Sequence, residues 1–176
     1  MYIEENLRKR IKELCTINGD FTLSSGQKSN IYFDKYLLES DPLLLEEVCI
    51  ALMYNLPIKH KQYDFIAGLE TGGIPLAVTL SRLTKIPTLF VRKTPKTYGT
   101  CKFAEGGDII GKRLLVVEDV VTSGTQVLKS CENLSSSGTI IDKVCCVILR
   151  SDTGKQRIET THSFYALFNF TNEASQ

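Results

Sequence analysis

The sequence lacks any C-x-x-C pair, although it carries six cysteines: Cys15, Cys49, Cys101, Cys131, Cys145 and Cys146. With only two histidines, His60 and His162, zinc-type ligand spacing is missing as well. The cysteines therefore read as reduced thiols of a cytoplasmic protein, several of them in the core. There is no excess of charge of either sign. A formal net charge of +1 gives no general electrostatic case for nucleic acid or an anionic membrane as partner, so any anion must be held by a local cluster. Met1 is followed by Tyr2, Ile3 and charged residues, which is no secretory signal. No apolar run is long enough to span a bilayer. Repeats, linkers and low-complexity stretches are also missing, and the 176 residues, 43% of them hydrophobic, suit one domain over 1–176 with one good core.

What is present alternates. Ile3, Leu7, Ile11 and Leu14 are spaced as the apolar face of a helix over 3–15, with Gly19 expected to end it. Phe21–Leu23 and Ile31–Phe33 read as short strands around the turn Ser25-Gly26-Gln27. Asp41 as N-cap and Pro42 at the first helical position predict a helix to about Asn55. Strands follow at 64–67, 87–91, 114–117, 143–149 and 164–168, with helices ending at Leu83 and running from about Gly124 to Leu134. This alternation predicts an α/β fold with a parallel sheet and helices on both faces. Ligands of such sheets sit at the carboxyl ends of the strands, where the three most polar loops fall.

The most informative of these is Glu118-Asp119-Val120-Val121-Thr122-Ser123-Gly124-Thr125-Gln126, which follows the apolar strand 114–117. Two adjacent carboxylates emerge at the strand end, and a turn rich in hydroxyls and glycine opens a helix. Free backbone N–H groups and the helix dipole favour an anion there. Phosphate fits the turn, and the carboxylates can accept hydrogen bonds from sugar hydroxyls, so one segment could hold a ribose 5-phosphate. No G-x-x-x-x-G-K-[ST] or G-x-G-x-x-G motif is present, which argues against a P-loop nucleotidase or a dinucleotide-binding fold.

The segment resembles the signature by which type I phosphoribosyltransferases bind 5-phosphoribosyl 1-diphosphate (PRPP). The resemblance implies that family's fold: a central, mostly parallel sheet flanked by helices, with a small amino-terminal hood contributed by residues 1–40. It also implies that Glu118 and Asp119 bind the ribose hydroxyls while Val120 to Gln126 wrap the 5-phosphate. Gly68-Leu-Glu-Thr-Gly-Gly-Ile-Pro75 stands where the family binds the pyrophosphate of PRPP, through Thr71 and Gly72. Its ending resembles one branch of the orotate phosphoribosyltransferases; another branch has Tyr-Lys at those two positions.

Orotate itself is suggested by the spacing R-K-x-x-K-x-Y-G-T, from Arg92 to Thr100, followed by Glu105-Gly106. It looks like the catalytic loop of orotate phosphoribosyltransferases. Cations that close over a departing pyrophosphate stabilise its charge and exclude water. By resemblance Arg92, Lys93, Lys96 and Tyr98 contact the phosphates, some of them in the neighbouring subunit of a homodimer, and Arg92, Lys93, Lys96 and Asp119 are the catalytic set. Phe21 to Asp34 resembles the amino-terminal orotate motif, in which Tyr32 and Phe33 offer flat surface to a pyrimidine. The alternation of a strand sends those two rings to opposite faces, so one is expected in the core. Arg150, with Thr122, is implied to take the orotate carboxylate.

Three residues depart from the family pattern: Ser24 for Lys, Thr97 for Asp and Leu149 for Asp. The implied reaction is orotate plus PRPP to orotidine 5-phosphate and pyrophosphate, in de novo pyrimidine (UMP) biosynthesis, with Mg2+ carried mainly by PRPP and no protein metal site. Two alternatives stay open at this stage: a phosphoribosyltransferase for another base, and a non-catalytic PRPP-binding regulator.

Overall fold

The computed structural model describes residues 2–22, 26, 28–58, 62–94 and 103–171. The chain opens with helix α1 (Tyr2–Cys15), strands β1 (Thr16–Thr22) and β2 (Lys28–Phe33), helix α2 (Tyr36–Ser40) and helix α3 (Pro42–Asn55). It continues through β3 (Phe65–Leu69), α4 (Gly73–Thr84), β4 (Thr88–Val91), β5 (Ala104–Glu105) and β6 (Arg113–Val121). Helix α5 (Thr125–Ser136), β7 (Ile140–Leu149), α6 (Asp152–Glu159) and β8 (Phe164–Asn169) complete it. The main sheet has the order β5-β4-β3-β6-β7-β8. All its pairings are parallel except that of β5 on β4. β1 and β2 form a separate antiparallel ribbon, the hood.

Alternation along the central strands sends side chains into two cores. Ile66, Leu115, Val117 and Cys145 meet α1, α3 and α4 through Leu7, Ile11, Val48, Leu52, Leu76 and Leu80. Ala67, Leu114, Val116 and Cys146 face the other way, onto Val127, Cys131 and Leu134 of α5 and Ile158 of α6. The predicted α/β architecture is thus present. Asp41 caps α3 as expected, its Oδ1 accepting from the Leu43 and Leu44 N–H groups at 3.0 and 3.1 Å, with Pro42 in the first turn.

Several boundaries differ from the sequence expectation. Gly19 does not end α1; it lies inside β1, which starts directly after Cys15 and bulges between Asn18 and Phe21. The buried face of α1 is Leu7, Ile11 and Cys15, while Leu14 is 41% exposed. Gly68 belongs to β3, and a Cβ there would collide with the Gly73 backbone of α4. Helices α2 and α6 and strand β5 were not signalled by periodicity. Only one apolar side chain of α6, Ile158, is buried, so α6 carries no stripe to read. Of the expected turn at 25–27, Gly26 is described, with φ +83°, whereas Ser25 and Gln27 lie outside the described residues.

Candidate active site

β6 does not stop before the acidic pair. It pairs with β7 through Glu118 opposite Cys146 and on to Val121 opposite Leu149. Glu118 and Asp119 are therefore ladder residues, 7% and 1% exposed, and not carboxylates projecting from a strand end. Glu118 Oε1 accepts from the Asp119 N–H at 3.1 Å, and Asp119 Oδ1 from the Val120 N–H at 2.6 Å.

The hood reaches across to this pair. Lys35 Nζ, one residue before α2, lies 2.5 Å from Asp119 Oδ2 as an ion pair. Glu39 of α2 faces the same carboxylate. A Cβ on Gly72 would overlap Asp119 Oδ2 and Glu39 Oε1, so glycine is required where the loop after β3 closes on the acids. These same two oxygens are buried.

Three carboxyls around one ammonium cannot all ionise. Burial, then the contact with and charge of Asp119, push Glu39 up to about 8. Burial and Asp119 likewise hold Glu118 well above the usual carboxylate range. Burial works against the Asp119 anion too, but Glu118, Glu39 and Lys35 outweigh it and keep its pKa below the ordinary value. Burial also disfavours the Lys35 ammonium, and the contact with and charge of Asp119, with Glu118 and Glu39 behind, more than offset it. The cluster therefore favours one carboxylate, Asp119, opposite the Lys35 ammonium, with Glu39 and Glu118 both shifted toward their neutral forms.

Below the pair the chain makes its hydroxyl-rich turn. Gly124 has φ +72°, a left-handed conformation that glycine adopts freely. The first bond of α5 runs from Leu128 N–H to Gly124 C=O at 3.0 Å, which leaves the N–H groups of Thr125 to Val127 outside the helical ladder. That of Thr125 goes to Ser123 Oγ at 3.4 Å. Thr122, Ser123, Thr125 and Gln126 are exposed, Val120 is partly buried and Val121 is buried. The turn is a set of donors at a helix start, beside an acidic pair.

The loop after β3 carries a cis peptide between Glu70 and Thr71 and bonds Ile74 N–H to Thr71 C=O at 3.2 Å. Glu70 Oε2 accepts from the Lys93 N–H at 3.0 Å, tying this loop to the end of β4. Arg92 lines a groove there with Glu70, Ile74, Phe90, Val91 and Glu105, and its Nε is buried without a hydrogen-bond partner. The expected residues Thr71, Gly72, Arg92 and Lys93 are thus on linked elements. Lys96 and Tyr98, with Thr97, lie outside the described residues.

On the hood side, the Arg150 guanidinium carbon is 5.3 Å from the centroid of the Phe33 ring. Arg150 is fixed at the end of β7 by its N–H bond to Val121 C=O at 2.8 Å, one residue before Thr122. Arg150, Phe33 and the Thr122 turn therefore come together. Tyr32 does not join them: it is 42% exposed on the other face of the ribbon, with its ring 5.4 Å from Phe21. Ser24 lies outside the described residues. Leu149 is 1% exposed and packs in the core.

Sequence reasoning missed Lys35, Glu39 and Arg157. Arg157 of α6 donates to Ser123 C=O at 3.2 Å and to Thr125 Oγ1 at 3.0 Å. The only available signal was Lys35 following the Phe21–Asp34 motif directly.

Comparison with known proteins gives this site a family. The phosphoribosyl transferase domain family matches residues 43–175. The orotate phosphoribosyltransferase of Nocardioides sp. is 44% identical over 155 residues, 88% of this chain and 85% of that one. The crystal structure of orotate phosphoribosyltransferase from Aeropyrum pernix superposes with a TM-score of 0.73 at 27% identity, covering 97% of this chain and 94% of that one. The fold is shared too with Mycobacterium tuberculosis orotate phosphoribosyltransferase in complex with PRPP, at a TM-score of 0.80 and 21% identity over 98% and 99% of the two chains. A hood ribbon over a mostly parallel sheet, a buried acidic pair leading into a hydroxyl-rich turn, and relatives that match over most of their length agree: this chain belongs to the orotate phosphoribosyltransferases of the phosphoribosyl transferase domain family.

Proposed function

We propose that this chain transfers the ribosyl 5-phosphate group of PRPP to orotate, giving orotidine 5-phosphate and pyrophosphate for pyrimidine synthesis. The observation that carries the reading is the meeting, at one end of the sheet, of the buried acidic pair Glu118 and Asp119 with a turn of donors at 122–126 and the guanidinium of Arg150. Acceptors suit ribose hydroxyls, donors suit a phosphate, and a guanidinium suits the orotate carboxylate.

In this reading Asp119, with Glu118 behind it, orients the ribose. Thr122 to Gln126 hold the 5-phosphate, and Thr71 and Gly72 offer backbone to the pyrophosphate. Phe33 and Arg150 hold the base. Arg92, Lys93, Lys96 and Tyr98 surround the leaving group, where positive charge is most valuable as the C1–oxygen bond lengthens. The base nitrogen takes C1 as pyrophosphate leaves with the bonding pair, so no protein nucleophile is required.

Among the described residues no group of three or more His, Cys, Asp or Glu side chains is arranged to hold a metal ion. In this reading Mg2+ is carried by PRPP oxygens, a hard cation on hard ligands. Bound there, it would neutralise pyrophosphate charge. Homodimerisation with a shared catalytic loop belongs to the same reading. A stripe of exposed apolar residues along α3, namely Leu43, Ile50 and Tyr54 at 70%, 40% and 84% exposure, supports a covered face. No described helix is long and apolar enough to cross a membrane. The unbridged, buried Cys15, Cys49, Cys131, Cys145 and Cys146 support a reducing, cytoplasmic location.

The test is a base panel: enzyme, PRPP and Mg2+ with orotate, uracil, adenine, hypoxanthine or nicotinate, followed by pyrophosphate release. Orotate alone should turn over. Turnover of another base without orotate would move the chain to another substrate.

A further inference from the structure

The turn at 122–126 contains no cation: its residues are Thr, Ser, Gly, Thr and Gln. A ribose 5-phosphate near neutral pH is close to a dianion, and the basic residues Arg92, Lys93 and Lys96 belong with the other phosphates. Among the described residues, the basic side chain hydrogen-bonded to this turn is Arg157, from α6.

Its position is set by packing. A Cβ on Gly154 would overlap Thr122 C=O, and one on Gly124 would come within 2.9 Å of Gly154 C=O and 3.1 Å of Ile158 Cγ1. Helix α6 is therefore pressed against the turn along Gly154 and the fully buried Ile158, four residues apart on one face. Arg157 sits at the edge of that face. Ser151 Oγ, accepting from Gly154 N–H at 3.3 Å, caps α6 in this placement.

A guanidinium can only donate. Thr125 Oγ1 therefore accepts from Arg157, which leaves the threonine O–H to donate elsewhere, and a charge-assisted bond to its oxygen makes it a better donor. The second Arg157 bond, to Ser123 C=O, fixes the carbonyl of the residue that precedes Gly124. One side chain thus sets both the shape of the turn and the polarity of its hydroxyl.

We propose that Arg157 is the positioning residue of the 5-phosphate cradle, aiming the Thr125 hydroxyl at the phosphate and supplying the positive charge that the turn itself lacks. This rests on the reading of residues 122–126 as the 5-phosphate site. Arg157 acts on the phosphate that stays with the sugar and not on the one that leaves. It therefore governs PRPP affinity and discriminates phosphorylated from unphosphorylated sugars, without altering the chemical step.

The experiment compares Arg157→Met, Arg157→Gln, Arg157→Lys and Thr125→Val in steady-state kinetics, with ribose 5-phosphate and pyrophosphate as competing inhibitors. In the Met and Gln variants the KM for PRPP and the inhibition constant for ribose 5-phosphate should each rise about tenfold. The turnover number and the inhibition constant for pyrophosphate should stay within about twofold, and Lys should recover most of the loss because the charge persists. The Gln variant keeps a neutral donor, so recovery in Gln equal to that in Lys would overturn the role of charge. Unchanged ribose 5-phosphate inhibition in Arg157→Met, or equal weakening of both inhibitors, would overturn the proposal outright. Loss in Thr125→Val with none in Arg157→Met overturns the inference alone; no loss in Thr125→Val removes the cradle reading and the inference together.

Discussion

Lys35 Nζ stands 2.5 Å from Asp119 Oδ2, joining the hood to the acidic pair of the central sheet. Asp119 is 1% exposed, whereas the Lys35 side chain keeps 33% of its exposure. A buried anion with a partly exposed partner is asymmetric: removing the cation leaves the charge stranded. Lys35→Met should destabilise the ligand-free protein by about 1–3 kcal/mol, less than for a fully buried pair because solvent already screens the ammonium. Lys35→Arg should restore most of it. Urea denaturation of the three proteins measures this, and equal midpoints for wild type and Lys35→Met would show that the pair is idle.

The same cluster sets a pH dependence. The folded-state pKa of Glu39 is pushed up to about 8, by burial first and then by Asp119. In the unfolded chain it returns to the ordinary glutamate value of about 4.3. Between these values the folded protein holds a proton that the unfolded chain releases, so stability falls as pH rises through that window. The favourable contribution is complete below the lower value and lost above the upper one. Glu118 is shifted in the same direction and adds to the slope; Asp119 is shifted the other way and acts only at lower pH. Glu39→Gln should therefore flatten the decline in stability from pH 5 to pH 8 without abolishing it. Denaturation midpoints at both pH values, compared between wild type and variant, decide the matter; parallel declines would place the titration elsewhere.

Asp119→Asn should weaken PRPP far more than orotate, by at least about tenfold. The amide loses the charge that Lys35 balances and turns a donor toward ribose hydroxyls that need an acceptor. Calorimetric titration of each ligand separates the two effects. Unchanged PRPP affinity would mean that Asp119 serves only the hood contact.

Arg150→Ala should raise the KM for orotate and leave that for PRPP nearly unchanged. Loss of a charge-assisted contact to a carboxylate costs about 2–3 kcal/mol. Phe33, whose ring lies 5.3 Å from that guanidinium and 6.3 Å from Phe170, holds Arg150 from the hood side. Phe33→Leu should therefore produce a weaker version of the same orotate defect. An equal loss for both substrates in either variant would contradict a base-pocket role.

Which parts of this were legible follows from where the information lies. Segments whose chemistry is local could be read directly: the Asp41-Pro42 helix start, the strand–turn–helix from Leu114 to Leu134, and the glycine loop after Gly68. The acidic pair was placed at a strand end because the apolar run stops at Val117, yet ladder pairing with Cys146 to Leu149 extends β6 through it. Pairing partners are not visible in a strand's own sequence. Lys35, Glu39 and Arg157 were missed for a related reason, since each reaches the site from an element remote in sequence and too short to show a periodic face. Tyr32 and Phe33 illustrate the opposite case. Strand alternation alone predicted that they part, and they do, with Phe33 going to Arg150 and Tyr32 to Phe21.

The last prediction concerns assembly. Lys96 lies outside the described residues, but its neighbours show where the segment starts: Arg92 N–H bonds Phe103 C=O at 3.0 Å, and Lys93 N–H bonds Glu70 at 3.0 Å. The described residues on either side of 95–102 thus lie next to each other and beside the loop after β3. If Lys96 acts on the departing pyrophosphate, Lys96→Ala should lower the turnover number more than it raises either KM, since charge there matters most in the transition state. If that segment closes over the partner's site, Lys96→Ala and Asp119→Asn should complement each other. Each hybrid dimer would contain one site with both lesions and one with neither. Mixing the two inactive proteins under conditions of subunit exchange should then restore activity, up to about half of a wild-type dimer in each hybrid. Sedimentation establishes whether the chain is dimeric, and exchange is verified with differently tagged subunits. A monomer, or proven exchange with no recovery, would mean that Lys96 serves its own subunit. The apolar stripe of α3 would then need another explanation.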